Sequence, residues 1–170
     1  MLADEIYRKT RQMVRMSDSR DPFRIAKDNG VFIRFCDEFN VLKGMYKIVK
    51  RNRFIFINSN LPEYLQKIVC AHELGHDLLH KHLAKSAALQ KFMLYDMTSR
   101  PEYEANMVAA DILLDDDEVH ELACDGYDME QIARELYTDI NLVGIKIGNM
   151  NYRGYNFNLG IRPRGDFLGR

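Results

Sequence analysis

His72, Glu73 and His76 stand in the order His-Glu-Leu-Gly-His, a spacing that lets two imidazoles and a carboxylate act on one metal ion. On a helix, residues i and i+4 lie one turn apart with Cβ atoms about 5–6 Å from each other. Both rings can then reach a common centre at roughly 2.0–2.1 Å per nitrogen–zinc bond. Glu73 is turned about 100° around the helix from His72. It stands beside the metal rather than on it, where it can accept a proton from a metal-activated water and return it to a leaving group. Gly75 leaves the adjoining face without a side chain, so another backbone can come close. Three fixed letters at this spacing arise by chance in roughly one chain of this length in a few hundred. The competing reading, a helix whose histidines are merely packed, explains neither the pairing nor the glutamate between them.

A catalytic zinc site takes three protein ligands and keeps one position open. The cysteines offer no third: Cys70 precedes the motif by two residues and points elsewhere, and Cys36 and Cys124 are distant in sequence. Downstream, Pro101-Glu102-Tyr103-Glu104-Ala105-Asn106 supplies two carboxylates. Glu102 shares a helical face with Asn106, and an amide one turn from a ligand can orient a ligand histidine. Glu102 is therefore expected on the metal, with Glu104 as the alternative ligand. Two plainer roles compete: Ser99-x-x-Glu102 reads as a capping box, and Glu104 reads as a solvated helix surface. His80, one turn beyond His76, is expected behind the ligands, and His82 and His120 in solvent. Tyr46, Tyr103 and Tyr152 are candidates to polarise a substrate carbonyl.

These residues need elements to hold them. Leu65, Ile68, Val69, His72, His76 and Leu79 follow Asn60 and Pro62 at helical spacing, so the histidines lie on an inward-facing stripe. A second helix opens at Ser99-Arg100-Pro101 and carries Ala105, Val108, Ala109, Ile112 and Leu113; the stretch 81–98 between them is polar and irregular. Upstream, residues 4–16 form an amphipathic helix, and Asp21-Pro22 starts another that ends near Gly30. The period then changes to two. Val31–Phe35, Met45–Val49 and Phe54–Ile57 read as a small antiparallel sheet, the last two strands joined by a turn at Lys50–Arg53. Asp115–Glu118 caps a short helix, and 128–150 holds one or two more, a helical cover rather than a helix-turn-helix. The expected class is α+β: a small antiparallel sheet packed on an active-site helix pair, then a helical C-terminal part. Residues 1–150 form one domain and 151–170 an extended or flexible tail.

The chain has 170 residues, is 46% hydrophobic and carries a net charge of −1, which suits one folded domain and excludes a disordered chain. No apolar run is long enough to span a membrane. The opening MLADEIYRKT has charges where a signal peptide needs apolar residues. Three scattered cysteines then read as reduced thiols in a cytoplasmic protein. The charge is uneven: residues 1–60 hold 13 Lys/Arg against 7 Asp/Glu, whereas 61–148 hold 7 against 17. The basic third is not interleaved with a recognisable nucleic-acid-reading motif, so direct nucleic-acid binding is not expected.

His-Glu-Leu-Gly-His-Asp-Leu-Leu-His at 72–80, followed by Glu-Tyr-Glu-Ala-Asn-Met-Val-Ala-Ala-Asp-Ile-Leu-Leu at 102–114, resembles the ImmA/IrrE metallopeptidase family. That family carries HELGHxxLH and then an ExxANxFAAxLL segment; Val108 stands here for its phenylalanine, and Asp115-Asp116 for the Met-Pro that follows. The resemblance is strong over roughly 55–115. It implies a gluzincin-like zincin fold, Zn2+ on His72, His76 and Glu102, and Glu73 as the catalytic base. It also implies a regulatory endopeptidase acting on a helix-turn-helix repressor, often in a phage or mobile element. A free sheet edge offers the substrate a place as an added strand. The alternative is a non-catalytic anti-repressor with a structural metal, in which Glu73 has no task.

Overall fold

A computed structural model describes residues 3–83 and 99–158, and the statements below concern those residues. The chain runs α1 (Ala3–Ser17), α2 (Pro22–Asp28), β1 (Val31–Cys36), β2 (Gly44–Val49), β3 (Asn52–Asn58), α3 (Glu63–Leu79), α4 (Arg100–Leu113), α5 (Asp116–Cys124), α6 (Met129–Glu135) and α7 (Ile140–Tyr152). It is α+β: a three-stranded sheet with seven helices. α1 is amphipathic because Ile6, Thr10, Met13 and Ser17 recur at helical intervals and are buried. Asp21 caps α2 by accepting from the Phe23 amide, with Pro22 in the first turn.

The sheet corrects the expectation of an all-antiparallel arrangement. Its order is β1-β3-β2; β2 pairs antiparallel with β3, but β1 pairs parallel with β3. Lys50 and Arg51, both at positive φ (47° and 70°), close the β2–β3 hairpin in two residues rather than four. Residues 37–43 must therefore carry the chain from β1 past the end of the central strand to the far edge. Asn58, at that end of β3, holds the crossing: its Nδ2 donates to the carbonyls of Phe39 and Leu42, 3.0 Å each. Its amide donates to the Lys43 carbonyl at 2.9 Å. Patterning identifies strands, but neighbour order follows from the path of this crossing, to which Asn58 bonds with its side chain and its amide.

One sheet face carries Val31, Tyr46, Ile55 and Ile57 into the core, against α3. Residues Ile68 to Asp77 of α3 are all buried, so the motif lies on the central helix of the molecule. α4 runs against α3, and α1 and α7 pack on α4. Asp115 caps α5, as expected, by accepting from Asp117 N; Asp128 and Gln131 form a capping box on α6, and Asp139 caps α7. α7 buries Leu142, Val143, Ile145, Ile147 and Met150 and covers the core. The tail expected from residue 151 begins differently: α7 continues to Tyr152, and Asn151 exchanges two hydrogen bonds with the backbone of Phe157. The rest of that tail, 159–170, and most of the irregular stretch, 84–98, lie outside the described residues.

Candidate metal centre

Gly75 sets the separation of the two helices that build the site. A Cβ at this position would stand 2.7 Å from Ala105 Cα and 2.8 Å from Ala105 O, so only a glycine lets α4 come this close to α3. The approach brings Glu102 onto the histidines. His72 Nε2 lies 3.1 Å from Glu102 Oε2, His76 Nε2 lies 3.3 Å from Glu102 Oε1, and the two Nε2 atoms are 3.1 Å apart. All three side chains are buried. The capping-box role for Glu102 is not realised: Ser99 makes no side-chain cap, and the carboxylate is turned to the histidines.

The hydrogen bonds behind the pair fix which ring nitrogens face each other. His72 Nδ1 is 2.9 Å from Asn106 Oδ1, an oxygen that only accepts, so Nδ1 carries the proton and Nε2 is turned to Glu102. His80 Nε2 is 3.1 Å from Glu104 Oε2, and a carboxylate likewise only accepts. The proton therefore sits on His80 Nε2, and His80 Nδ1 accepts from His76 Nδ1 at 3.2 Å. His76 is thereby held with Nε2 toward Glu102. Glu104 is buried rather than solvated; its other oxygen accepts from Arg100 Nε at 2.9 Å, and it lies outside the cluster formed by His72, His76 and Glu102.

Burial pushes Glu73 up to about 7, the nearby charge of His72 opposing it. Burial also lowers His76 to about 4, against the pull of its bond to Glu102. Burial would raise Glu102, but its close hydrogen-bond and charge interactions with His72 and His76 outweigh that and hold it at about 2. His72 is the exception among the rings. Burial lowers it, yet bonding to Glu102 and the charge of Glu73 raise it above its ordinary value.

Glu73 faces the edge strand. The Tyr46 amide donates to it, and a Cβ on Gly44 would stand 3.6 Å from its Oε1 and only 2.3 Å from Val69 Cγ1. Gly44 therefore lets β2 lie directly over the motif, a role that sequence reasoning missed because a lone glycine before a strand has many uses. Asp77 was missed as well. It is buried and accepts from Tyr46 Oη at 2.7 Å and from Arg53 Nη1 at 2.7 and 3.0 Å, tying α3 to β2 and β3. Tyr46, a candidate to polarise a substrate carbonyl, thus gives its hydroxyl proton to Asp77. Tyr103 and Tyr152 are exposed, as are His82 and His120. Cys36, Cys70 and Cys124 form no disulfide with one another.

The donor set fits zinc. Ligand atoms of a tetrahedral site with bonds of roughly 2.0–2.1 Å are about 3.3 Å apart, and the three measured separations are 3.1, 3.1 and 3.3 Å. Residues 26–157 match the model of the IrrE N-terminal-like domain of peptidase family M78. The chain is also similar to the "Uncharacterized immunity region protein 2" of Bacillus phage phi105, 30% identical over 122 residues, which are 72% of this chain and 76% of that protein.

Proposed function

Because the chain belongs to the IrrE N-terminal-like peptidase family, we propose that it is a cytoplasmic zinc-dependent endopeptidase whose substrate is a helix-turn-helix transcriptional repressor. The observation that carries the reading is the convergence of His72, His76 and Glu102 with Glu73 beside them and outside the set. Zinc held there would polarise a water and the substrate carbonyl. Glu73 would take the proton of that water on its carboxylate and return it to the departing amine. A carboxyl poised near 7 is suited to both transfers. Asn106 holds His72, and Glu104 through His80 holds His76, so neither ring has to reorient when a substrate arrives. β2 is an edge strand lying over Glu73, and a substrate segment can add to it as a further strand. The immunity-region relative supports a place in repressor regulation.

Incubating candidate repressor with wild type and with Glu73→Gln tests the reading. The amide cannot accept the water's proton, so Glu73→Gln should keep fold, zinc and repressor binding while cleavage falls by about 10²–10⁴. Mass spectrometry of the fragments and a pull-down read the two properties separately. A repressor that both proteins bind and neither cuts would assign the chain to the anti-repressor class. The same follows if Glu73→Gln relieves repression in cells as well as wild type does.

A further inference from the structure

Among the described elements α2 and α3 make the main helix contacts with the sheet, and the strand residues buried in the core, Val31, Tyr46, Ile55 and Ile57, lie on one face. On the opposite face six side chains form two adjacent cross-strand rows, flanked by Val49 and Asn52 at the hairpin end and by Cys36 and Asn58 at the other. Strand register places Phe32 beside Phe54 and Phe54 beside Lys47, then Arg34 beside Phe56 and Phe56 beside Met45. Phe32 is 50% exposed, and Phe54 and Phe56 are half-buried against their neighbours without joining the core cluster. The rings share an orientation: Phe32 and Phe54 are 5.4 Å apart and 31° from parallel, Phe54 and Phe56 6.0 Å and 29°. Arg34 and Lys47 stand among them, and Lys50 and Arg51 are exposed at the hairpin end of the same sheet. None of these four cations is ion-paired among the described residues, and none of the six face positions is acidic.

We propose that this face is a binding platform for single-stranded DNA. The aromatic rows and the unpaired cations require a ligand with flat apolar faces and a regular negative charge, which unstacked bases on a phosphate backbone provide. A second copy of the chain would set cation against cation across the same face. A duplex hides its base faces, and a broad sheet enters neither groove, which admits at most a helix or a two-stranded ribbon. RNA differs by its 2′-hydroxyl, and the two rows themselves, flanked by the Asn52 amide at the hairpin end, offer no amide, hydroxyl or carboxylate to read it. Sequence could not reveal the platform, because its rings and cations are gathered from three strands whose order and register the sequence does not give.

Fluorescence anisotropy with a labelled twenty-residue oligothymidylate and the full chain tests the assignment. Binding should weaken by roughly 20- to 50-fold between 50 and 200 mM salt if three or four phosphates are neutralised. Phe32→Ala, at an exposed position, should weaken it about fivefold or more, and Lys47→Glu should weaken it further. Arg15→Glu, an exposed charge reversal on α1, should leave it unchanged, as should Glu73→Gln, since the platform does not depend on the peptidase site. Thermal unfolding of each variant checks that the fold is kept. No binding at 50 mM salt overturns the proposal. So does equal weakening by Lys47→Glu and Arg15→Glu with none by Phe32→Ala, which means general charge attraction only. Tighter binding of oligouridylate or of duplex overturns the choice of single-stranded DNA, and a dimer dissolved by Phe32→Ala assigns the face to a second copy.

Discussion

At the scale of the residue, the site depends on which nitrogen of each ring carries the proton. Asn106 settles this for His72 directly, whereas for His76 it is settled at one remove, through His80 by Glu104. The proposed ligand set makes an ordered prediction for zinc affinity measured by competition with a chelating dye. His72→Ala should lose stoichiometric zinc, and Glu102→Gln should lose more affinity than Glu104→Ala. Glu104→Ala should still weaken zinc by about 10–100-fold, because His76 is then no longer held in place. Greater loss from Glu104→Ala than from Glu102→Gln would move the ligand role. Much of this was legible in the chain, since His72, His76 and Asn106 follow from helical spacing alone. The part of Glu104 was not legible: a carboxylate near the start of a helix looks solvated until a second helix is laid against it. Tyr46 shows the same limit in reverse. Its hydroxyl looked free for a substrate and is spent on Asp77, a partner 31 residues away.

Two glycines govern how the elements stack. Gly75 admits α4 against α3, and Gly44 admits β2 against the same helix from the sheet side. The motif helix is thus approached closely by backbone on both flanks, and on the sheet side Tyr46 and Arg53 also hold it through Asp77, which leaves little slack between ligands on different elements. Gly75→Ala adds one methyl with 2.7 Å to the Ala105 Cα, where ordinary contact needs 3.4 Å or more. Overpacking of this kind costs about 1–3 kcal/mol, and here the relief is a shift of α4 that carries Glu102 away from the histidines. Thermal unfolding of the metal-free protein should show the lost stability, and zinc titration should show weakened affinity. A variant with wild-type zinc affinity would show that the helices do not need this closeness to bring the ligands together. The strands and helices themselves were readable from period, cap and proline. Sheet order was not, because β1 reaches the central strand's free edge only through a crossing loop held by Asn58.

The whole molecule is closed by a buried charge network away from the metal centre. Lys146 of α7, 1% exposed, lies 2.8 Å from Asp111 of α4 and 2.5 Å from Asp116 of α5. Tyr7 of α1 donates to Asp116 at 2.6 Å, and Arg153, 3.1 Å from the same carboxylate, stacks on the Tyr7 ring with Cζ 3.6 Å from its centroid. The first helix and the last are therefore joined through one side chain. Burial raises the Asp116 carboxyl, but hydrogen bonds from Lys146 and Tyr7 outweigh it and hold the group at about 2, below its ordinary 3.8. A carboxyl depressed on folding stabilises the native state above its unfolded pKa, and that contribution fades as pH falls through the folded value. The difference in unfolding free energy between wild type and Asp116→Asn should accordingly be greatest above pH 4 and should shrink by about 2 kcal/mol toward pH 2. Asp111 shifts the other way, raised by burial against the pull of Lys146, but it is present in both proteins and largely cancels in the difference. Urea unfolding at pH 7, 4 and 2.5, with chelator throughout so that metal does not contribute, measures it. A difference that stays constant from pH 7 to 2.5 would mean that Asp116 joins these helices by packing and neutral hydrogen bonds, without help from its charge.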